Sequence, residues 1–147
     1  MVQTANGVNT RIRAHFDRCT GCAICQLECS YRCNGGYNPR LAMLRLENGP
    51  EGLYAKPVVC HQCENAFCEK VCPHGAISRS EKMGIPEIDP EKCRKCGMCQ
   101  RYCPEQVIVR TEAGHAAKCD LCEGSPRCVE VCPAGALTLV QEVTANE

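Results

Sequence analysis

Sixteen of the 17 cysteines in this 147-residue chain fall into four groups of four. Groups one and three follow the pattern C-x2-C-x2-C-x3-C, and groups two and four lengthen the middle gap to four and five residues. Three of the groups are followed directly by proline. The groups are Cys19, Cys22, Cys25, Cys29; Cys60, Cys63, Cys68, Cys72; Cys93, Cys96, Cys99, Cys103; and Cys119, Cys122, Cys128, Cys132.

This spacing indicates [4Fe–4S] clusters. Such a cluster needs four soft thiolate ligands, and a run of three closely spaced cysteines can wrap around it in one tight loop. The last cysteine of each group follows a predicted short helix. In the three groups that are followed by proline, this proline ends the helix. In two-cluster ferredoxins this last cysteine binds the other cluster of the pair. The direct prediction is four [4Fe–4S] clusters bound by the sixteen grouped cysteines.

Other uses of cysteine fit the pattern less well. Zinc sites use separated C-x2-C pairs or mixed cysteine and histidine ligands, whereas here a third cysteine always follows and no histidine completes a set. We expect His15, His61, His74 and His115 to be surface or packing residues. A nucleophilic cysteine needs a base and an oxyanion site, which nothing in the sequence singles out. Cys33 stands outside the groups, and we expect it to be a structural thiol.

Composition limits the remaining function classes. The chain has no tryptophan and only two phenylalanines, and its 44% hydrophobic content counts the cysteines, so its apolar core is thin and metal centres are expected to stabilise it. Formal charge is zero and no basic tract suggests nucleic acid binding, although Lys92, Arg94, Lys95 and Arg101 form a small basic cluster. No segment resembles a signal peptide or a membrane span. We therefore expect a cytoplasmic protein, in which dense cysteine indicates metal rather than disulfides.

The segments between the groups suggest how the chain is organised. Residues 10–17 and 136–143 alternate like strands that could pair, and residues 73–92 read as a hairpin between groups two and three. Residues 41–59 predict another hairpin, which could cover the clusters or contact a partner. Two arrangements stay open at this point. In the first, groups two and three form one pair, and groups one and four form a second pair that encloses it in the sequence. In the second, group one pairs with group two, and group three pairs with group four.

The four ordered motifs resemble a known family. The runs "CTGCAICQLEC", "VVCHQCENAFCEKVCPHGAI", "CRKCGMCQRYCP" and "KCDLC" are similar to the four-cluster iron–sulfur subunits of dimethyl sulfoxide reductase-type complexes, over roughly residues 10–140. The short chain most resembles compact members such as the small subunit of tungsten-dependent aldehyde oxidoreductases. The resemblance implies an α+β fold of two nested, bacterial-ferredoxin-like, two-cluster modules. Residues 10–33 with 106–143 would form the outer module and residues 34–105 the inner one.

The resemblance also implies which cysteines share a cluster. We use the same numbers for these four ligand sets throughout. The first set is Cys19, Cys22, Cys25 and Cys132; the second is Cys29, Cys119, Cys122 and Cys128; the third is Cys60, Cys63, Cys68 and Cys103; and the fourth is Cys72, Cys93, Cys96 and Cys99.

The expected function is that of a non-catalytic electron-transfer subunit. No substrate pocket, pterin-binding fold or dinucleotide fingerprint is evident in the sequence, so the catalyst is expected to be a partner chain. By resemblance, that partner is a tungsten or molybdenum pterin oxidoreductase, with a flavin/NAD subunit, a hydrogenase or a ferredoxin at the other end. Two alternatives are a freely diffusing polyferredoxin and a subunit that self-associates end to end into filaments. No nucleic acid or membrane partner is expected.

Overall fold

The computed structural model describes residues 8–143, which form short strands and short helices. The elements, in chain order, are β1 (Val8–Ala14), α1 (Ile24–Asn34), β2 (Arg45–Asn48), β3 (Ala55–Val58), α2 (Phe67–Val71), β4 (Ile77–Arg79), β5 (Pro86–Ile88), α3 (Met98–Tyr102), β6 (Val109–Arg110), β7 (Ala116–Ala117), α4 (Arg127–Val131) and β8 (Leu137–Val143). Three short 3-10 helices lie at Pro39–Leu41, Pro50–Gly52 and Leu121–Gly124. This is a small α+β fold of the ferredoxin type.

The longest strand pairing joins the two ends of the described chain. β1 and β8 run antiparallel, with Ile12 opposite Leu139. Thr10 and Ile12 are buried on one face, whereas Arg11 and Arg13 on the other face both bind the carboxylate of Glu142. The alternation of apolar and charged residues therefore sets which face of this ribbon covers the interior.

The other strands form three local antiparallel pairs. β2 pairs with β3 inside the segment 41–59, β4 pairs with β5 between groups two and three, and β6 pairs with β7. The β2–β3 turn depends on Gly49, since a Cβ at this position would lie 2.5 Å from the ring of Tyr54. Each of these strand pairs lies in the segment between one cysteine group and the next.

Proline determines where three of the four helices end. α2, α3 and α4 are five residues long, and each is followed by an extended cysteine, namely Cys72, Cys103 or Cys132, and then a proline. Group one has no such proline, and α1 continues past Cys29 to Asn34, where Gly35 ends it with a φ of 71°. Cys25, Cys29 and Cys33 consequently lie at four-residue spacing along one side of α1.

The interior combines aliphatic side chains with cysteines. One cluster of buried residues joins Ile12, Leu121 and Leu137 to Cys25 and Cys128. A second joins Ile77 and Ile108 to Cys99. α1 packs on α4 and α2 packs on α3, so helices from distant segments contact each other through cysteine-bearing faces. No helix within residues 8–143 is long and apolar enough to cross a bilayer.

We predict that Ile12→Ala lowers the thermal unfolding midpoint of the anaerobically purified protein. Ile12 is 3% exposed in the ribbon that joins the chain ends, and truncating a buried isoleucine costs about 2–5 kcal/mol. Ile24→Ala is the matched control because Ile24 is 42% exposed. Equal midpoints for the two variants would contradict a packing role for the β1–β8 ribbon.

Candidate metal centres

The first set of cysteines is assembled where α1 packs against α4. Cys25 is buried in the first turn of α1, and Cys132 directly follows the end of α4. Burial raises the pKa of the Cys25 thiol to about 11, and the nearby Cys19, Cys22 and Cys132 thiols contribute to the rise. The last cysteine of group four thus lies with three cysteines of group one.

The second set lines a cavity beside α1. Cys29 from α1, together with Cys119, Cys122 and Cys128, lines this cavity. Burial raises the pKa of the Cys128 thiol to about 12, with Cys122 and Cys25 as contributing neighbours. Cys60, which belongs to the third set, lines the same cavity from its far side.

The third set lines a neighbouring cavity. Its wall contains Cys60, Cys63, Cys68 and Cys103, with Phe67 and Lys118 beside them. Burial raises the pKa of Cys63 and Cys68, and Cys60 and Cys103 are close enough to add to both shifts. Cys103 follows α3, whereas the other three come from group two, and the packing of α2 on α3 brings them together.

The fourth set lines a cavity next to the β4–β5 hairpin, with Cys72, Cys93, Cys96 and Cys99 in its wall. Burial raises the pKa of Cys99 to about 11, and the nearby Cys93, Cys68 and Cys72 thiols contribute to the rise. Arg94 from the basic cluster also lines this cavity, whereas Lys92 pairs with Asp89 at 3.9 Å.

All four loops share a left-handed backbone conformation at the residue before their second cysteine. Successive residues in right- and left-handed conformations turn their N–H groups toward a common point, which suits an anionic group. Glycine adopts this conformation freely, but three of the four positions carry a side chain and are strained. The four residues and their φ angles are Gly21 at 75°, Gln62 at 47°, Lys95 at 62° and Leu121 at 55°.

A second left-handed position recurs after each Cys-Pro pair, at Gly75, Gln106 and Gly135. The turns at Gly75 and Gly135 aim the next backbone N–H back at the preceding cysteine. Ala76 donates to Cys72 Sγ at 3.4 Å, and Ala136 donates to Cys132 Sγ at 3.3 Å. Burial acts to raise the pKa of Cys132, but backbone N–H groups around Ala136 outweigh it and lower that pKa. These N–H groups stabilise a thiolate, the form that binds metal.

Further backbone donors reach sulfur in the second and fourth sets. Met43 donates to Cys29 Sγ at 3.4 Å, Ala116 to Cys93 Sγ at 3.5 Å and Leu121 to Cys119 Sγ at 3.5 Å. Among the described residues, no three histidine, cysteine, aspartate or glutamate side chains are placed to hold one metal ion. The thiols of the second, third and fourth sets instead line cavities, and together with the N–H donors they fit a polynuclear, thiolate-bound iron–sulfur group.

The comparisons with known proteins agree with this chemistry. Residues 52–142 match the family described as the 4Fe-4S dicluster domain. The chain belongs to this family. The matched range contains groups two, three and four, and group one precedes it. As a member of the dicluster family, the chain is a [4Fe–4S] ferredoxin-type electron-transfer protein.

Relatives extend the similarity beyond the dicluster match. The chain is 35% identical over 131 residues to the polyferredoxin-like subunit of aliphatic sulfonate oxidoreductase from Pyrococcus furiosus, covering 88% of this chain and 75% of the relative. It is 33% identical to the electron transport protein HydN of Escherichia coli K12, covering 90% and 89%. It also matches 29% of the length of the NADH-dependent phenylglyoxylate dehydrogenase subunit beta from Aromatoleum evansii, at 37% identity.

A solved structure shares the fold. A chain of the active site complex BamBC of benzoyl coenzyme A reductase superposes with a TM-score of 0.57, at 24% identity, covering 95% of this chain and 83% of that chain. At 24% identity, this similarity shows only that the two chains share a fold.

Two residues at the cavities were not assigned to them by the sequence. Cys33 lines the second cavity one helical turn from Cys29, with its Sγ 3.8 Å from the sulfur of Met43. The four-residue spacing of Cys25, Cys29 and Cys33 would have indicated this placement. Lys118 is 6% exposed at the third cavity. Its only sequence signal was its position directly before Cys119.

We predict that Gly135→Ala destabilises the protein and that Gly36→Ala does not. A Cβ at either glycine would meet nothing within 4 Å, so the two differ in backbone conformation rather than in space. Gly135 has a φ of 62°, where an alanine costs about 1–2 kcal/mol. The measurement is the thermal midpoint of each purified variant. A midpoint for Gly135→Ala equal to that of Gly36→Ala would argue against a required left-handed turn after Cys132.

Proposed function

We propose that the chain is the electron-transfer subunit of a multi-subunit oxidoreductase and holds four [4Fe–4S] clusters on the four cysteine sets. When bound, each cluster accepts and donates one electron. The observation that supports the proposal is that the second, third and fourth sets line cavities, while Cys19, Cys22 and Cys132 lie near Cys25. This grouping favours the nested arrangement, with residues 10–33 and 106–143 outside and 34–105 inside.

Contacts between the sets suggest a linear order. Cys25 of the first set lies close enough to Cys128 in the second to contribute to the raised pKa of Cys128. Cys60 of the third set is a neighbour of Cys119 in the second, and Cys68 of the third is a neighbour of Cys99 in the fourth. The proposed path for electrons therefore runs from the first set through the second and third to the fourth, or in reverse.

The exposure of the cysteines supports electron entry at the two ends of this path. Cys22 in the first set and Cys96 in the fourth are exposed, and they are the two exposed cysteines of the described chain. Thiols in the second and third sets are buried or half-buried. Partners would exchange electrons near Cys22 and Cys96, with the interior sets linking the two surfaces.

The partners are proposed by resemblance and by the relatives' names. A larger catalytic chain, of the tungsten or molybdenum pterin type, would dock at one end, and a flavin/NAD subunit or a ferredoxin at the other. The proposed location is the cytoplasm. The Pyrococcus furiosus relative is named as a subunit of an oxidoreductase, which supports a partner of this class.

The first prediction concerns the cofactor content. Anaerobically purified protein should contain about sixteen iron and about sixteen acid-labile sulfide per chain, with an EPR signal after reduction. A co-purifying chain would identify the catalytic partner, and a protein isolated alone as a monomer would favour a free polyferredoxin. Large particles in light scattering would favour end-to-end filaments. Zinc, or about four iron per chain, would contradict the proposed function.

The second prediction tests the nested arrangement. Cys25→Ala, Cys132→Ala and the double variant should each lose iron from the same cluster, so the double variant should retain about twelve iron. The loss in the double variant would then be smaller than the sum of the single losses. If groups three and four paired instead, the two cysteines would serve different clusters. The losses would then add, leaving about eight iron.

A further inference from the structure

A lysine is buried between the second and third cysteine sets. Lys118 is 6% exposed, and its Nζ donates to the Pro86 carbonyl at 2.6 Å, to Gln62 Oε1 at 2.8 Å and to the Cys119 carbonyl at 3.0 Å. Gln62 is 1% exposed, and its Nε2 donates to the Cys119 carbonyl at 2.8 Å. This second hydrogen bond holds the Gln62 side chain with its oxygen toward the lysine.

The hydrogen bonds define the charge of this side chain. A lysine ammonium has three hydrogens to donate, and three acceptors surround Nζ. All three acceptors are uncharged oxygens, and Lys118 takes part in no ion pair among residues 8–143. An isolated buried ammonium is costly. The charge of Lys118 therefore requires a nearby anionic group other than the carboxylates of residues 8–143.

The cysteine sets supply that anion. Lys118 lines the third cavity together with Cys60, Cys63, Cys68 and Cys103, and it directly precedes Cys119 of the second set. Burial raises the pKa of Cys63, Cys68 and Cys119, and the charge of Lys118 opposes the rise at all three thiols. The lysine thus acts electrostatically on two neighbouring sets at once.

We propose that Lys118 sets the reduction potentials of the two central clusters, raising them above the values that their cysteine ligands alone would give. Reduction adds a negative charge to a cluster, and a fixed positive charge in a poorly solvated site stabilises the reduced form. The effect is confined to the second and third sets because Lys118 lines neither end of the proposed path. The inference rests on the proposed function, since it requires clusters on both sets.

The test is an EPR-monitored redox titration of the anaerobically purified protein and three variants. Lys118→Met removes the charge with little change in length, and Lys118→Arg keeps the charge. Lys82→Met is the control, because Lys82 is exposed in the β4–β5 turn and its replacement makes the same change in net charge. We expect Lys118→Met to lower the potential of one or two of the four cluster signals. Lys118→Arg should restore those potentials, and Lys82→Met should leave all four unchanged.

A fourth variant provides the test if Lys118→Met fails to retain iron. Gln62→Glu leaves Lys118 in place and adds a carboxylate beside its ammonium, where Gln62 Oε1 now lies 2.8 Å from Nζ. It neutralises the charge with almost no change in volume, and we expect it to lower the same potentials. A fully loaded Gln62→Glu or Lys118→Met protein with unchanged potentials would overturn the inference. An unmodified protein with fewer than about sixteen iron would instead contradict the proposed function.

Discussion

The structure depends on bringing each set of four thiols together from segments that are distant in the sequence. Cys132 lies beside Cys25, and Cys103 lies beside Cys63, although in both cases the chain between them forms other elements. The packing of α1 on α4 and of α2 on α3 brings these cysteines close together. The β1–β8 ribbon holds the chain ends together around them. Aliphatic residues such as Ile12 and Leu121 pack in one buried cluster with Cys25 and Cys128.

The same requirement explains the unusual backbone. Non-glycine residues such as Gln62, Lys95 and Leu121 adopt left-handed conformations that cost free energy. The conformation aims backbone N–H groups at the cavity, and those groups stabilise the thiolates that an iron–sulfur cluster needs. Leu121 is completely buried, so its packing offsets the strain of its backbone. Local strain and cofactor binding are thus two consequences of one loop geometry.

The proposed electron path gives these features a functional order. The second and third sets lie against each other in the interior, and the exposed cysteines Cys22 and Cys96 belong to the first and fourth. A chain of this kind can connect two partners without contributing chemistry of its own. A buried lysine between the second and third sets would adjust the reduction potentials of the two central clusters. This adjustment would take place in the interior, away from the surfaces that partners cover.

Much of this could be predicted from the sequence. The four-group spacing predicted the metal chemistry, because three cysteines at short intervals suit one polynuclear centre. The prolines after Cys72, Cys103 and Cys132 predicted the helix ends, and alternation in residues 10–17 and 136–143 indicated the strands that form β1 and β8. These features are local, since each follows from the residues of one short segment.

The tertiary structure decided the rest. Spacing left two pairings of the groups open, and the packing of α1 on α4 places Cys132 and Cys128 near Cys25. Nothing in the sequence predicted the burial of Lys118, because a lysine beside a cysteine is usually solvated. Its burial depends on acceptors from Gln62 and Pro86, which lie 56 and 32 residues away along the chain. Contacts between segments so far apart cannot be inferred from local pattern, since they arise only when the whole chain folds.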